Sequence, residues 1–268
     1  MEEDLRMARE IQQAMIPQQY PSFPKNAPAE ANLLRFCHRY IPNGAVGGDF
    51  FYITPLSDTK AGVFICDVMG HGVRSALVTA ILRALVEELT RHATTPGELL
   101  EQINRDLRAI LRQSGAPMFT TAFYMMVDLE ERRIYYSNAG HPKPLLVHRQ
   151  SGTVESLNNH AGPSSPALGL FDDTRYPNSD CRISNEDLLV LFTDGVYDME
   201  HDGDFLSPEW LKQELQKRSQ KHVNCIFDEI LEVLKSYSEN EEFVDDVCLV
   251  GLEFPAPPSR VNLLPGHL

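Results

Sequence analysis

What most limits the fold of this chain is the order in which its apolar runs and helical periodicities follow one another. Strand-like runs come first, at Leu33–Tyr40, Gly48–Thr54 and Gly62–Asp67, and two helical segments follow at Val73–His92 and Pro96–Arg112. The first of these helices carries Ala76, Leu77, Ala80, Ile81 and Leu85 at helical spacing. Thr120–Asp128 and Arg133–Asn138 flank the polar tetrapeptide Leu129-Glu130-Glu131-Arg132 and read as a β-hairpin. Lys143–His148 is a further strand, and the wholly apolar core of Asp187–Thr193 reads as a buried one. Ser207 before Pro208 is a helix start that opens Pro208–Arg218; a second helix runs over 222–237, and Val247–Phe254 is a closing strand. This is not the βαβ alternation of a parallel sheet. It predicts an α+β fold, a four-layer αββα sandwich of two mainly antiparallel sheets with a helix pair on each outer face.

The ends of the chain read differently. Residues 2–16 form a predicted helix with Leu5, Ala8, Ile11 and Met15 on one side, and Pro17 ends it. Two readings suit residues 1–17: a helix docked on the surface, or a linker helix that pairs in a homodimer. Residues 18–31, with Pro21, Pro24 and Pro28, read as a linker; 32–254 is one compact domain; and 255–268, with prolines at 255, 257, 258 and 265, is expected to be a flexible tail.

Composition narrows the chemistry. Thirty-eight acids against 24 bases give a net charge of −14, which repels nucleic acid and acidic membrane surfaces, and no basic block offsets it. The five cysteines are odd in number and form no C-x-x-C, so reduced thiols in a cytoplasmic setting are expected. The charged N-terminus is no signal peptide, and no apolar stretch reaches the ~18 residues a membrane span requires. A P-loop, zinc-type Cys/His spacings, H-E-x-x-H and the G-x-S-x-G elbow are absent. A cysteine phosphatase needs an arginine six residues after its nucleophile, and here those positions hold Asn43, Gly72, Asp187, Leu231 and Phe254. The one D-x-D, Asp202-Gly203-Asp204, lies in a polar loop rather than after an apolar strand.

Four aspartates remain at the ends of strand-like runs. Asp49 follows Gly47-Gly48, Asp67 ends Val63–Cys66, Asp194 ends Leu188–Thr193 before Gly195, and Asp245-Asp246 precedes the closing strand. Any one of them alone can be a turn residue, and Asp67 can be a helix cap. Four together place mutually repelling carboxylates at one sheet edge, an arrangement that hard divalent cations such as Mg²⁺ or Mn²⁺ relieve.

The segments VGGDFFY (46–52), ICDVMGHGVRSALVT (65–79), FTTAFYMMVDLEERRIYYSNAGHPKPLLV (119–147), LLVLFTDGVYD (188–198) and VDDVCLVGLEF (244–254) resemble the SpoIIE-like/RsbU-like bacterial branch of the metal-dependent, protein phosphatase 2C-like Ser/Thr phosphatases. REIQQAMIP (9–17) resembles the linker preceding the domain in many members. The resemblance implies a metal-dependent phosphatase domain over 32–254 that binds two Mn²⁺ or Mg²⁺ ions. Asp67 would bridge the metals; Asp49, Asp194, Asp245 and the Val68 carbonyl would be further ligands. Strand alternation lets only one of Asp245 and Asp246 face the metals, and the resemblance favours Asp245. Tyr52 departs from the family, many members having an acid there. His71 can assist proton transfer or order its loop, and His141 reads as structural.

The implied reaction is hydrolysis of phosphoserine or phosphothreonine by metal-activated water. The implied partner is a phosphorylated regulatory protein, commonly a STAS-type anti-sigma-factor antagonist in a partner-switching pathway, with an upstream sensor or receiver domain as a further partner. The alternative is a catalytically silent module of the same fold that docks a regulatory partner.

Overall fold

In the computed structural model, which describes residues 2–112, 118–159, 165–201, 204–237 and 243–256, the strands form two five-stranded antiparallel sheets and a two-stranded ribbon. One sheet has the order β2(Asp49–Pro55), β3(Lys60–Val68), β4(Thr120–Asp128), β5(Arg133–Ala139), β8(Ser179–Arg182). The other has the order β1(Arg35–Ile41), β12(Val247–Glu253), β9(Leu188–Phe192), β6(Leu145–His148), β7(Thr153–Ser156). The ribbon pairs β10(Glu200–His201) with β11(Asp204–Phe205). Most of the expected tail and the Asp202-Gly203 pair lie outside the described residues.

Both faces of each central strand are buried, which is why these segments read as unbroken apolar runs. Phe51, Ile53, Val63, Ile65, Phe123 and Met125 meet Leu189, Leu191, Val250 and Leu252 between the sheets. On the outer face of the first sheet, Phe50, Phe64, Cys66 and Tyr124 pack on α2(Val73–Leu89) and α3(Pro96–Leu111). On the outer face of the second, Val190, Phe192, Val247 and Leu249 pack on α4(Pro208–Lys217) and α5(Val223–Tyr237). Each fully buried Phe or Leu contributes about 1.5–3 kcal/mol relative to exposure. The four-layer sandwich expected from the element order is the observed architecture.

Several local expectations change. In α1(Glu2–Met15), which lies along α2, the expected apolar face includes Ile11, but Ile11 is 65% exposed and Gln12 is 5% exposed. A polar side chain takes the seam because its amide finds backbone partners there. In α2 the buried stripe is Ser75, Val78, Thr79, Leu82 and Val86, while Leu77 is exposed. That helix is apolar on most sides, so periodicity does not select its buried face. The segment 18–31, expected as a linker, lies against the body: Phe23 is fully buried in the inter-sheet core, and its N–H donates to Asn32 Oδ1 at 2.8 Å. Ser207 precedes α4 as expected, yet its side chain makes no cap hydrogen bond; Thr95 does cap α3, accepting from Glu98 N–H at 3.3 Å.

Candidate active site

Alternation along β2 and β3 decides where the first two aspartates point. Phe51 and Ile53, with Val63 and Ile65, face the gap between the sheets. Asp49 and Asp67 keep the same parity and stand directly opposite one another in the β2–β3 register. From the second sheet, Asp194 opens a 3-10 turn, Asp194–Val196, just beyond β9, and Asp245 lies in the bend before β12. Strands β9 and β12 are neighbours, so these two acids emerge side by side. A hydrogen bond joins the two halves: Thr193 Oγ1 donates to Asp49 Oδ2 at 2.5 Å and accepts from Cys248 N–H at 3.0 Å. The predicted site residues are therefore collected at one end of the inter-sheet seam.

The electrostatics there are unfavourable. Burial raises the Asp49 carboxyl well above the usual range, and Asp67 raises it further against the lowering effect of Thr193. Burial, then Asp194, Asp245 and Asp246, push Asp67 up to about 7. Asp194 is raised by burial and by Asp245 and Asp198. The charged neighbours acting on these groups are other carboxylates, and a divalent cation is what such a donor set accommodates. Among the described residues no three Asp, Glu, His or Cys side chains already close on a single point, so the fit rests on donor chemistry. The donors are hard carboxylate oxygens, buried at Asp49 and half-buried at Asp67, Asp194 and Asp245, and they come from both sheets.

The backbone around Asp67 suits the same purpose. A side chain at Gly48 would come within 2.7 Å of the Val68 carbonyl, so glycine lets the two loops touch. Gly70 and Gly72 have φ of +85° and +84°, which turn the chain sharply into α2. Gly72 is the N-cap and no side chain caps it, so Asp67 is not a helix cap. His71 is exposed, and the hydrogen bonds of its loop run through Met69 N–H to the Phe119 carbonyl and Ser75 Oγ to the Gly72 carbonyl. His141 is buried, and burial lowers its pKa to about 3, so it is neutral; its backbone N–H donates to Asn138 Oδ1 at 2.8 Å, locking a turn. Tyr52 belongs to the opposite parity of β2 and faces the helix layer, where the Arg83 guanidinium lies 3.8 Å over its ring.

Thr193, Asp198 and Gln12 belong to the surroundings of the site and were not singled out by sequence. Gln12 Nε2 donates to the Gly47 carbonyl at 2.7 Å, and Gly47 N–H donates back to Gln12 Oε1 at 3.0 Å. The only signal for Asp198 was its place in the T-D-G-V-Y-D run, and Gln12 gave none.

The sequence profile of the family described as Stage II sporulation protein E (SpoIIE) matches residues 57–255, most of the chain. The chain belongs to the SpoIIE family. It is 30% identical over 212 residues to the phosphoserine phosphatase RsbP of Bacillus subtilis, covering 79% of this chain and 50% of RsbP. It is 24% identical over 207 residues to the phosphoserine phosphatase RsbU of the same organism, covering 76% of this chain and 59% of RsbU. The chain thus spans about half the length of these curated relatives. Among solved structures, the SiaA-PP2C domain of Pseudomonas aeruginosa superposes with a TM-score of 0.78 at 21% identity, covering 94% of this chain and 96% of that one. SpoIIE-family membership and the SiaA superposition agree with the phosphatase-type sandwich expected from the motifs.

Proposed function

We propose that this SpoIIE-family protein is a metal-dependent phosphoprotein phosphatase that hydrolyses phosphoserine or phosphothreonine. The observation that carries the reading is the convergence of Asp49, Asp67, Asp194 and Asp245 from two sheets onto one seam end with carboxylates for neighbours. Two Mn²⁺ or Mg²⁺ ions would be held by Asp49, Asp67, the Val68 carbonyl, Asp194 and Asp245, with Asp67 between them. When bound, such ions make hydroxide available near neutral pH and neutralise charge on a phosphoryl group. Thr193 holds the Asp49 carboxylate through Oδ2, and the other carboxylate oxygen would be the one available to an ion.

The substrate is a phosphorylated STAS-type anti-sigma-factor antagonist, with an upstream sensor or receiver domain feeding α1. The phosphoserine phosphatases RsbP and RsbU support phosphoserine as the group hydrolysed, and the Gln12–Gly47 bridge supports a link from α1 to the site. Residues 1–17 pair in a homodimer in this reading, and exposed Met7 and Ile11 on α1 supply apolar surface for it. Among the described residues no helix is long and apolar enough to cross a membrane. The test is phosphate release from a phosphorylated STAS protein and from p-nitrophenyl phosphate with Mn²⁺. Loss of both in Asp67→Asn and Asp194→Asn is expected. A folded wild type that binds Mn²⁺ and releases no phosphate from either would make it a silent docking module. Deleting 1–17 should change oligomeric state or rate; an unchanged, fully active monomer would remove the role of α1.

A further inference from the structure

Two adjacent acids precede β12, and their surroundings separate them. Asp246 uses both carboxylate oxygens on backbone N–H groups of the loop that ends in Asp49. Asn43 N–H donates to Oδ1 at 2.6 Å, Gly48 N–H to Oδ2 at 2.5 Å, and Asp49 N–H to the same oxygen at 3.5 Å. The carboxylate fills the space that a side chain at Gly47 would need, since a methyl group there would overlap it. On its other side, the Asp246 carbonyl is packed against Gly195, where a methyl group would overlap it too. One residue therefore touches the glycine beside Asp49 and the glycine beside Asp194. Asp245 is differently placed: it is half-buried and accepts from Asp246 N–H at 2.7 Å through Oδ1.

We infer that Asp246 is a positioning residue, not a metal ligand, and that it sets the distance between the Asp49 and Asp194 halves of the site by gripping Gly48 and abutting Gly195. The inference rests on the metal-centre reading given above. An anionic acceptor suits three converging N–H donors better than a neutral one, because charge-assisted hydrogen bonds are shorter and stronger. Losing a residue that orients a ligand from behind typically costs roughly 10–100-fold in metal affinity or activity.

The test is a Mn²⁺ titration by calorimetry on the full chain, with folding checked by circular dichroism. Asp246→Ala should weaken Mn²⁺ binding roughly 10–100-fold. Gly47→Ala should weaken it similarly in the wild-type background, because its methyl displaces the Asp246 carboxylate. Added to Asp246→Ala, Gly47→Ala should cost almost nothing, since no carboxylate remains to displace. Unchanged affinity in Asp246→Ala, or independent losses that multiply in the double variant, overturns the inference and leaves the phosphatase reading standing. A wild type that binds no Mn²⁺ overturns both. Should Asp246→Ala fail to fold, Gly47→Ala decides: unaltered affinity there overturns the positioning role.

Discussion

Buried acids in this protein occupy two opposite environments. At the seam end, Asp49, Asp67 and Asp194 are raised by burial and by neighbouring carboxylates. Elsewhere burial also raises Asp128 and Glu214, but partners outweigh it and hold both below the usual carboxylate range. Asp128 accepts from Glu130 and Glu131 N–H at 3.0 Å and pairs with Lys60 at 2.8 Å, while Glu214 pairs with Lys217 at 2.5 Å and with Arg218. The second group ties a hairpin turn and a helix end together. In the first group burial and like charge dominate instead, the pattern that marks a candidate functional site.

The comparison can be broken most sharply at Asp67. Asp67→Asn should lower Mn²⁺-dependent hydrolysis of p-nitrophenyl phosphate by about a thousandfold, equivalent to about 4 kcal/mol of lost transition-state stabilisation. The same variant should melt no lower than wild type in EDTA, because it removes a repelling charge; a clear drop in melting temperature would place Asp67 with the structural acids. Asp128→Ala should do the reverse. Urea denaturation should show a loss of about 1–3 kcal/mol, since two turn N–H groups lose their acceptor, with phosphate release at saturating Mn²⁺ unchanged.

A smaller effect is expected at His148, whose Nδ1 lies 3.1 Å from Asp187 and whose Nε2 lies 3.2 Å from Glu155. Burial lowers its pKa, but the two carboxylates outweigh this and raise it overall. A raised histidine stabilises fully below its unfolded pKa of about 6.5, and the contribution is lost as pH rises through the higher folded value. His148→Gln should therefore reduce stability at pH 6 by up to about 1 kcal/mol and have less effect at pH 8, in paired urea titrations. An equal loss at both pH values would show that packing, not charge, holds the ring.

Much of this was legible in the chain. Segments buried on both faces are apolar throughout, so β3, β4, β9 and β12 announce themselves. The four-residue strands β7 and β8 do not, because their residues are partly exposed and polar and only pairing defines them. Helix faces were also obscure. Gln12 sits in the α1 seam because Gly47 is there to bond it, a partner 35 positions along the chain.

By itself the sequence determined the layer order and four metal-candidate acids, since both follow from local pattern: hydrophobic period, glycine beside aspartate, and strand ends. Only the tertiary structure decided what each of the neighbouring acids meets. Asp245 and Asp246 are chemically identical neighbours, and both lie before β12 begins, so strand alternation does not separate them. What separates them is the loop at Asn43, Gly48 and Asp49, which brings three N–H donors to Asp246 alone. Hydrogen-bond partners some 200 residues distant leave no trace in local pattern, because side-chain identity fixes what a group can bond and the fold fixes what it meets.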